Sequence, residues 1–248
     1  MRSMTTMSDD REPTLLVVGA APFSLGLAVA DEALKSYNFS RIFTAGLGNG
    51  EALYCDVRNG NSIKECLAEA LPTYVVCTVG VNQPAEFLRP GLGLAMQDAF
   101  HSNVIGPMEL LRHFITSATR HPQECAGKYA KRFVAISSNS ARIPRTGSTP
   151  YCASKAALSM ALRVAARELA THEDAPYVWG YEPGLLADTP MTQHLGQDFL
   201  AGRPMHRMKG VPARGLPRQE LAERIMFDVV YGSPGLNGCM MPFDAGEL

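Results

Sequence analysis

The chain has 248 residues, of which 46% are hydrophobic and 19% charged, and its formal net charge is −1. That is ample apolar material for one large core, and the charge balance excludes the basic face of a nucleic-acid-binding protein and the polybasic stretch of a membrane-surface protein. No run of about 18 apolar residues occurs, so no membrane-spanning helix is expected.

Residues 1–13 are polar and lack the apolar stretch of a signal peptide, which reads as a disordered leader on a cytoplasmic protein. Residues 14–20, Thr-Leu-Leu-Val-Val-Gly-Ala, form a short continuous apolar run, as expected of a parallel strand buried on both faces. A turn rich in small residues follows, then a helical pattern over 25–35. Strands are predicted at 41–44 and 52–57, a helix at 62–71 and a fourth strand at 74–79. A long helical stretch covers 94–119, interrupted near Gly106-Pro107. A fifth strand at 132–137, an alanine-rich helix at 153–171, a sixth strand at 177–181, a helix at 219–231 and a last strand at 238–243 complete the pattern.

Strands alternating with helices predict right-handed βαβ units, and so a single α/β domain over 14–248 built on a Rossmann-like, doubly wound parallel sheet. In such a sheet ligands bind outside the carboxyl ends of the strands, which puts the loops after Val18, Val57, Val79, Ser138 and Glu182 on one rim. The weakly patterned segment 185–217, rich in Gly, Pro and Met, is long enough to read as a substrate flap. The six cysteines show no C-x-x-C spacing and no histidines cluster with them, so they read as small buried hydrophobes and no metal site is expected. His101, His113, His121 and His194 read as surface or packing groups, and Arg142 and Arg145 as solvated loop charges.

The chemistry centres on Tyr151-Cys-Ala-Ser-Lys155. Residues i and i+4 share one face of a helix, so the phenol and the ammonium can meet. A fixed positive charge nearby favours the phenolate and makes the hydroxyl a usable proton donor or acceptor. Ser138, 13 residues upstream at the end of a strand, would converge on the same rim and hydrogen-bond a substrate oxygen.

These residues resemble the active-site signature of the short-chain dehydrogenases/reductases. Ile-Ser-Ser138, the 13-residue gap and Tyr-x-x-x-Lys155 carry the resemblance, and Asn103 in Asn103-Val-Ile-Gly106 is similar to the helical asparagine of that family's tetrad. Pro183-Gly184 with Thr189-Pro-Met191 resembles the segment that holds the nicotinamide carboxamide. Asp56-Val57 resembles the pair that flanks the adenine, and the ending from Leu236 to Gly246 the family's terminal strand. The resemblance implies an NAD(P)-dependent oxidoreductase that moves hydride between the nicotinamide and a carbonyl or alcohol substrate. In it, Tyr151 would be the general acid/base, and Lys155 would lower the Tyr151 pKa and bind the nicotinamide ribose. Ser138 would orient the substrate, and Asn103 would hold a water linking Lys155 to solvent. It also implies a homo-oligomer, a dimer or tetramer, formed through the helices at 94–119 and 153–171.

The cofactor cradle departs from the family pattern. The phosphate-binding turn, Gly19-Ala-Ala-Pro-Phe-Ser24-Leu25-Gly26, is one residue longer than T-G-x-x-x-G-x-G, with Val18 for the threonine and Ser24 at the middle glycine. Ser24 could offer a hydroxyl in place of the missing close approach, and the N-terminus of the next helix still faces a phosphate. Cys77-Thr-Val-Gly80 keeps only the glycine of the family's N-N-A-G. The end of the second strand, Thr44-Ala-Gly-Leu47, bears neither an acid for a ribose diol nor an arginine for a 2′-phosphate, which tips the expectation slightly to NADP. Two other readings stay open: a non-catalytic dinucleotide sensor, because the cradle is altered, and a cofactor-free lyase resembling the halohydrin dehalogenases, because Phe23 sits in the turn.

Overall fold

The protein is described by a computed structural model covering residues 12–88, 90–118, 129–172, 174–186, 188–192 and 215–244. All of the leader expected at 1–13 except Glu12 and Pro13, and most of the flap expected at 185–217, lie outside these residues.

Seven strands form one parallel sheet in the order β3-β2-β1-β4-β5-β6-β7. They are β1 (Thr14–Val18), β2 (Arg41–Gly46), β3 (Leu53–Tyr54), β4 (Tyr74–Cys77), β5 (Arg132–Ile136), β6 (Tyr177–Pro183) and β7 (Met240–Phe243). The helices are α1 (Leu25–Ser36), α2 (Gly60–Ala70), α3 (Leu92–Phe100), α4 (Gly106–Ala118), α5 (Thr149–Leu169) and α6 (Arg218–Tyr231). This is the doubly wound Rossmann-like sheet that the alternating pattern predicts.

Strand residues alternate between two cores. Leu15 and Val17 of β1, Tyr74 and Val76 of β4, and Val134 and Ile136 of β5 pack with α1 and α6. Leu16 and Val18, Val75 and Cys77, and Phe133 and Ala135 pack with α2, α4 and α5 on the opposite face. Burial on both faces explains why these strands read as unbroken apolar runs rather than as alternating ones.

The strand order reverses between β1 and β4, which are neighbours in register from Leu15↔Tyr74 to Val18↔Cys77. Chains leaving a parallel sheet on either side of such a reversal diverge, and the gap at their carboxyl ends is where ligands sit. β3 is shorter than the strand expected at 52–57, because only Leu53 and Tyr54 pair with β2, at Ala45 and Gly46. The chain then turns at once into α2, capped by Asn59, whose side-chain oxygen accepts from the N–H groups of Asn61 and Ser62.

The helical stretch expected at 94–119 with an interruption near Gly106-Pro107 is α3 and α4 joined by a π-helical turn, His101–Ile105. Its cause lies in the sequence. Pro107 has no N–H to give to the carbonyl of Asn103 four residues earlier, and its ring crowds that carbonyl, so the helix widens just before it. Gly106 follows from the same packing: a β-carbon there would lie 2.7 Å from Cγ2 and 2.9 Å from Cβ of Val57. We expect Gly106→Ala to destabilise the fold by about 1–2 kcal/mol despite alanine's better helix propensity, as measured by urea denaturation, because overpacking outweighs the propensity gain.

Candidate active site

A cleft of about 1040 Å³ opens at the carboxyl ends of the strands and extends from the tip of β2 to the 189–192 turn. Ser138, Tyr151 and Lys155 line it together with Gly19, Ser24, Leu25, Asp56, Val57, Gly80, Gly184 and Thr189. Of the positions singled out in the sequence, Gly26 and Asn103 do not line it. Gly26 serves packing, since a β-carbon there would lie 2.6 Å from both the Gly19 carbonyl oxygen and Thr78 Oγ1.

Two elements deliver the polar groups. β5 ends at Ile136 and puts Ser137 and Ser138 on the rim, where Ser138 Oγ accepts from the N–H of Ser140 at 3.1 Å. α5 opens at Thr149-Pro150, with proline in the first turn where its missing N–H costs nothing, and presents Tyr151 and Lys155 one turn apart. Burial is the larger effect on the Tyr151 phenol and raises it above its ordinary range, and the nearby Ser138 hydroxyl opposes that by favouring the phenolate. The phenol therefore stays protonated at neutral pH.

Lys155 differs from the sequence expectation. The residue is 3% exposed, and its ammonium donates to the carbonyl of Ile136 at 2.8 Å and stands 5.8 Å from the Tyr151 ring centre. Withdrawal from water lowers its pKa to about 8, with the buried Cys77 thiol opposing that slightly; burial pushes that thiol in turn up to about 11. The i, i+4 spacing brings ring and ammonium together, but in this arrangement Lys155 is committed to the sheet and is not what governs the Tyr151 hydroxyl.

Asn103 is fully buried in the π turn, and its side chain is spent on structure. Nδ2 donates to the Val81 carbonyl and to Ser154 Oγ, both at 2.9 Å, and Oδ1 accepts from the Val81 N–H at 2.7 Å. It thereby pins the loop after β4 to α5. Pro107, four residues on, has no N–H to donate to the Asn103 main-chain carbonyl.

The altered glycine turn has a self-consistent geometry. Gly19 takes φ +94°, and a β-carbon on it would meet Thr78 Oγ1 at 2.8 Å and the Val79 nitrogen at 2.9 Å. Phe23 also sits in the left-handed region, at φ +60°, with its ring 69% exposed. Ser24 does not aim its hydroxyl at a ligand: it caps α1, accepting from the Leu27 N–H and donating to the Gly19 carbonyl. That leaves the N–H groups of Leu25 and Gly26 without partners in the helix, the usual anion-facing set. Thr78, in place of a family asparagine, ties β4 to the turn by donating to the Val18 and Gly19 carbonyls at 3.1 and 3.0 Å. Asp56 is held by Arg58, whose Nε and Nη2 donate to it at 3.0 and 3.1 Å, and which draws its carboxyl below the usual range.

Sequence reasoning missed a polar network beneath the rim. Glu182, 1% exposed at the end of β6, accepts from Arg142 Nε at 2.6 Å and from Ser159 Oγ at 2.8 Å. Ser159 also reaches Ser137 Oγ at 2.8 Å, and Ser137 donates to the Lys155 carbonyl. Arg142 is thus not a solvated loop charge. A signal was present, since an acid inside an apolar strand demands a partner. Among the described residues no group of three or more His, Cys, Asp or Glu could hold a metal ion, and no helix is long and apolar enough to cross a membrane.

The short chain dehydrogenase family matches residues 48–199, more than half of the chain, and the protein belongs to that family. The match begins after β2, so the altered turn at Gly19–Gly26 falls outside it. No curated protein matches by sequence comparison. Among solved structures, a provisionally named gluconate dehydrogenase from Agrobacterium tumefaciens has a TM-score of 0.77 at 22% identity, covering 96% of this chain and 97% of that one. A dehydrogenase/reductase from Sinorhizobium meliloti 1021 has a TM-score of 0.77 at 21% identity, covering 96% and 95%. At these identities the two structures share the fold.

Two predictions test the site's energetics. Arg142→Met leaves Glu182 buried without its cation and is expected to cost about 3 kcal/mol in urea denaturation, much of it recovered by Glu182→Leu in the same chain. The second concerns Lys155, which releases its proton at about pH 8 in the folded chain and near 10.5 when unfolded. Between those values the unfolded chain binds more protons, so stability rises with pH, and the gain is lost again as pH falls through 8. The stability difference between the native protein and Lys155→Met is therefore expected to change by about 3 kcal/mol from pH 7 to pH 11.

Proposed function

We propose that the protein is an NAD(P)-dependent oxidoreductase that interconverts a carbonyl and an alcohol, with Tyr151 as the general acid/base. The observation that carries this reading is the convergence of Ser138, Tyr151 and Lys155 on one cleft at the carboxyl ends of the strands. Membership of the short chain dehydrogenase family supports an oxidoreductase.

The cleft's residues suit a nicotinamide dinucleotide. Gly19 and Gly80 keep the floor bare, since a β-carbon on Gly80 would lie 3.1 Å from Lys155 Nζ. The first turn of α1 offers N–H groups for a pyrophosphate beside Gly19 and Ser24, and Asp56 and Val57 border the side where the adenine would lie. Gly184 and Thr189 border the other end, next to Tyr151, where the nicotinamide would lie. When bound, the cofactor supplies or accepts the hydride.

The chain's own groups handle the proton. Ser138 hydrogen-bonds the substrate oxygen and fixes it beside Tyr151. The Tyr151 phenol, kept protonated by burial, gives its proton to the oxygen as negative charge builds there in reduction, and takes it back in oxidation. Lys155, once a ribose hydroxyl competes with the Ile136 carbonyl for its ammonium, sets a positive potential under the phenol. The Asn103 carbonyl holds the water through which Lys155 exchanges protons with solvent. Leu94 and Ile105 on the α3–α4 helix and Met160 and Val164 on α5 are exposed apolar side chains on neighbouring helices, and they support a homo-oligomer.

Tyr151→Phe removes only the hydroxyl. It is expected to leave NADH or NADPH binding within about threefold by fluorescence titration, and to lower turnover of a carbonyl panel by about 10²–10⁴-fold. Retained turnover in that variant overturns Tyr151 as the acid. Tight dinucleotide binding by the native protein with no turnover on any carbonyl or alcohol favours the sensor reading instead.

A further inference from the structure

The end of the cleft farthest from Tyr151 closes against the tip of β2 and is lined by Gly46, Leu47, Asn49 and Glu51. Gly46 is the last residue of that strand. A β-carbon built on it would lie 2.2 Å from Oε1, 2.7 Å from Cδ and 3.1 Å from Cγ of Glu51. The Glu51 carboxylate therefore occupies the space that a side chain on residue 46 would fill. The loop that carries it is fastened at several points. The Asn49 N–H donates to Glu51 Oε2 at 2.5 Å, the Ala52 N–H to Thr44 Oγ1 at 3.1 Å, and the Cys55 N–H to the Gly46 carbonyl at 2.7 Å. The tip of β2 is thus acidic although the strand itself ends in Ala-Gly.

We infer that Glu51 makes the protein selective for NAD(H) over NADP(H). The inference rests on the dinucleotide reading above and adds the identity of the adenosine ribose. In a doubly wound sheet an acid at the end of the second strand accepts from the ribose hydroxyls. A 2′-phosphate at that point carries a charge of about −1.5 to −2 near neutral pH and has no hydrogen to give a carboxylate. It meets like charge and loses a hydrogen-bond partner at once. Arg58, the cation at the same end of the cleft, does not reverse this, because its Nε and Nη2 are both engaged by Asp56. The slight expectation of NADP from the bare end of β2 is therefore reversed: the acid is there, supplied from five residues further along.

The test is a fluorescence titration of the full chain with NADH and with NADPH at fixed ionic strength, in the native protein, Glu51→Gln and Gly46→Ala. Glutamine keeps an oxygen for the Asn49 N–H, and the alanine displaces the carboxylate without removing it. The native protein is expected to bind NADH at least about tenfold more tightly than NADPH. Both variants are expected to shrink that ratio severalfold, Glu51→Gln chiefly by binding NADPH more tightly. A native preference for NADPH, or a ratio unchanged in both variants, overturns the role of Glu51 and leaves the oxidoreductase reading standing. If neither dinucleotide binds the native protein, both fall together.

Discussion

The ammonium of Lys155 is held almost out of water at the end of β5, and the rest of the site is arranged around that fact. A buried cation needs an acceptor, and the Ile136 carbonyl, freed where β5 stops pairing, provides one. The position of α5 must then be fixed to within a fraction of an ångström. The Ser137 hydroxyl does this by donating to the Lys155 carbonyl, backed by Ser159 and the Glu182–Arg142 ion pair. The space above the ammonium must stay clear, which is why residue 80 bears no side chain. Keeping a charge where it is not solvated has a cost, visible in the lowered Lys155 pKa, and it is the kind of cost that active sites carry in exchange for reactivity at neutral pH.

The same logic orders the opposite helix. Pro107 interrupts the ladder of hydrogen bonds in the long helix, and the π turn that results swings Asn103 inward to fasten the loop after β4. The sequence shows both residues, four apart, and the break follows from proline's missing N–H. That the Asn103 side chain is consumed in this fastening follows only from the packing.

The fold and the meeting of Ser138, Tyr151 and Lys155 in one cleft were legible in the residues. Unbroken apolar runs such as Leu-Leu-Val-Val and Tyr-Val-Val-Cys are what strands covered on both faces require, and helical runs separate them. Ser138, Tyr151 and Lys155 could be found because the first lies just past the end of β5 and the other two one turn apart near the start of α5, where local spacing and position on the rim coincide. What local spacing does not encode is where a long side chain ends. Lys155 turns to Ile136 rather than to the phenol, Ser24 caps its own helix, and Arg142 crosses to an acid 40 residues away. Glu51 is the sharpest case, because a hexapeptide with three glycines has no pattern from which its path back to Gly46 could be read.

The two ends of the 185–217 segment meet. The Leu216 N–H donates to the Leu185 carbonyl at 2.8 Å, Leu186 bridges to Leu216, and Arg218 pairs with Asp188. Between ends already held together, the entropy of closing a loop grows only with the logarithm of its length, about 0.6 kcal/mol for a doubling. A chain that keeps this neck can therefore change the number of residues it spans at little cost to the sheet below.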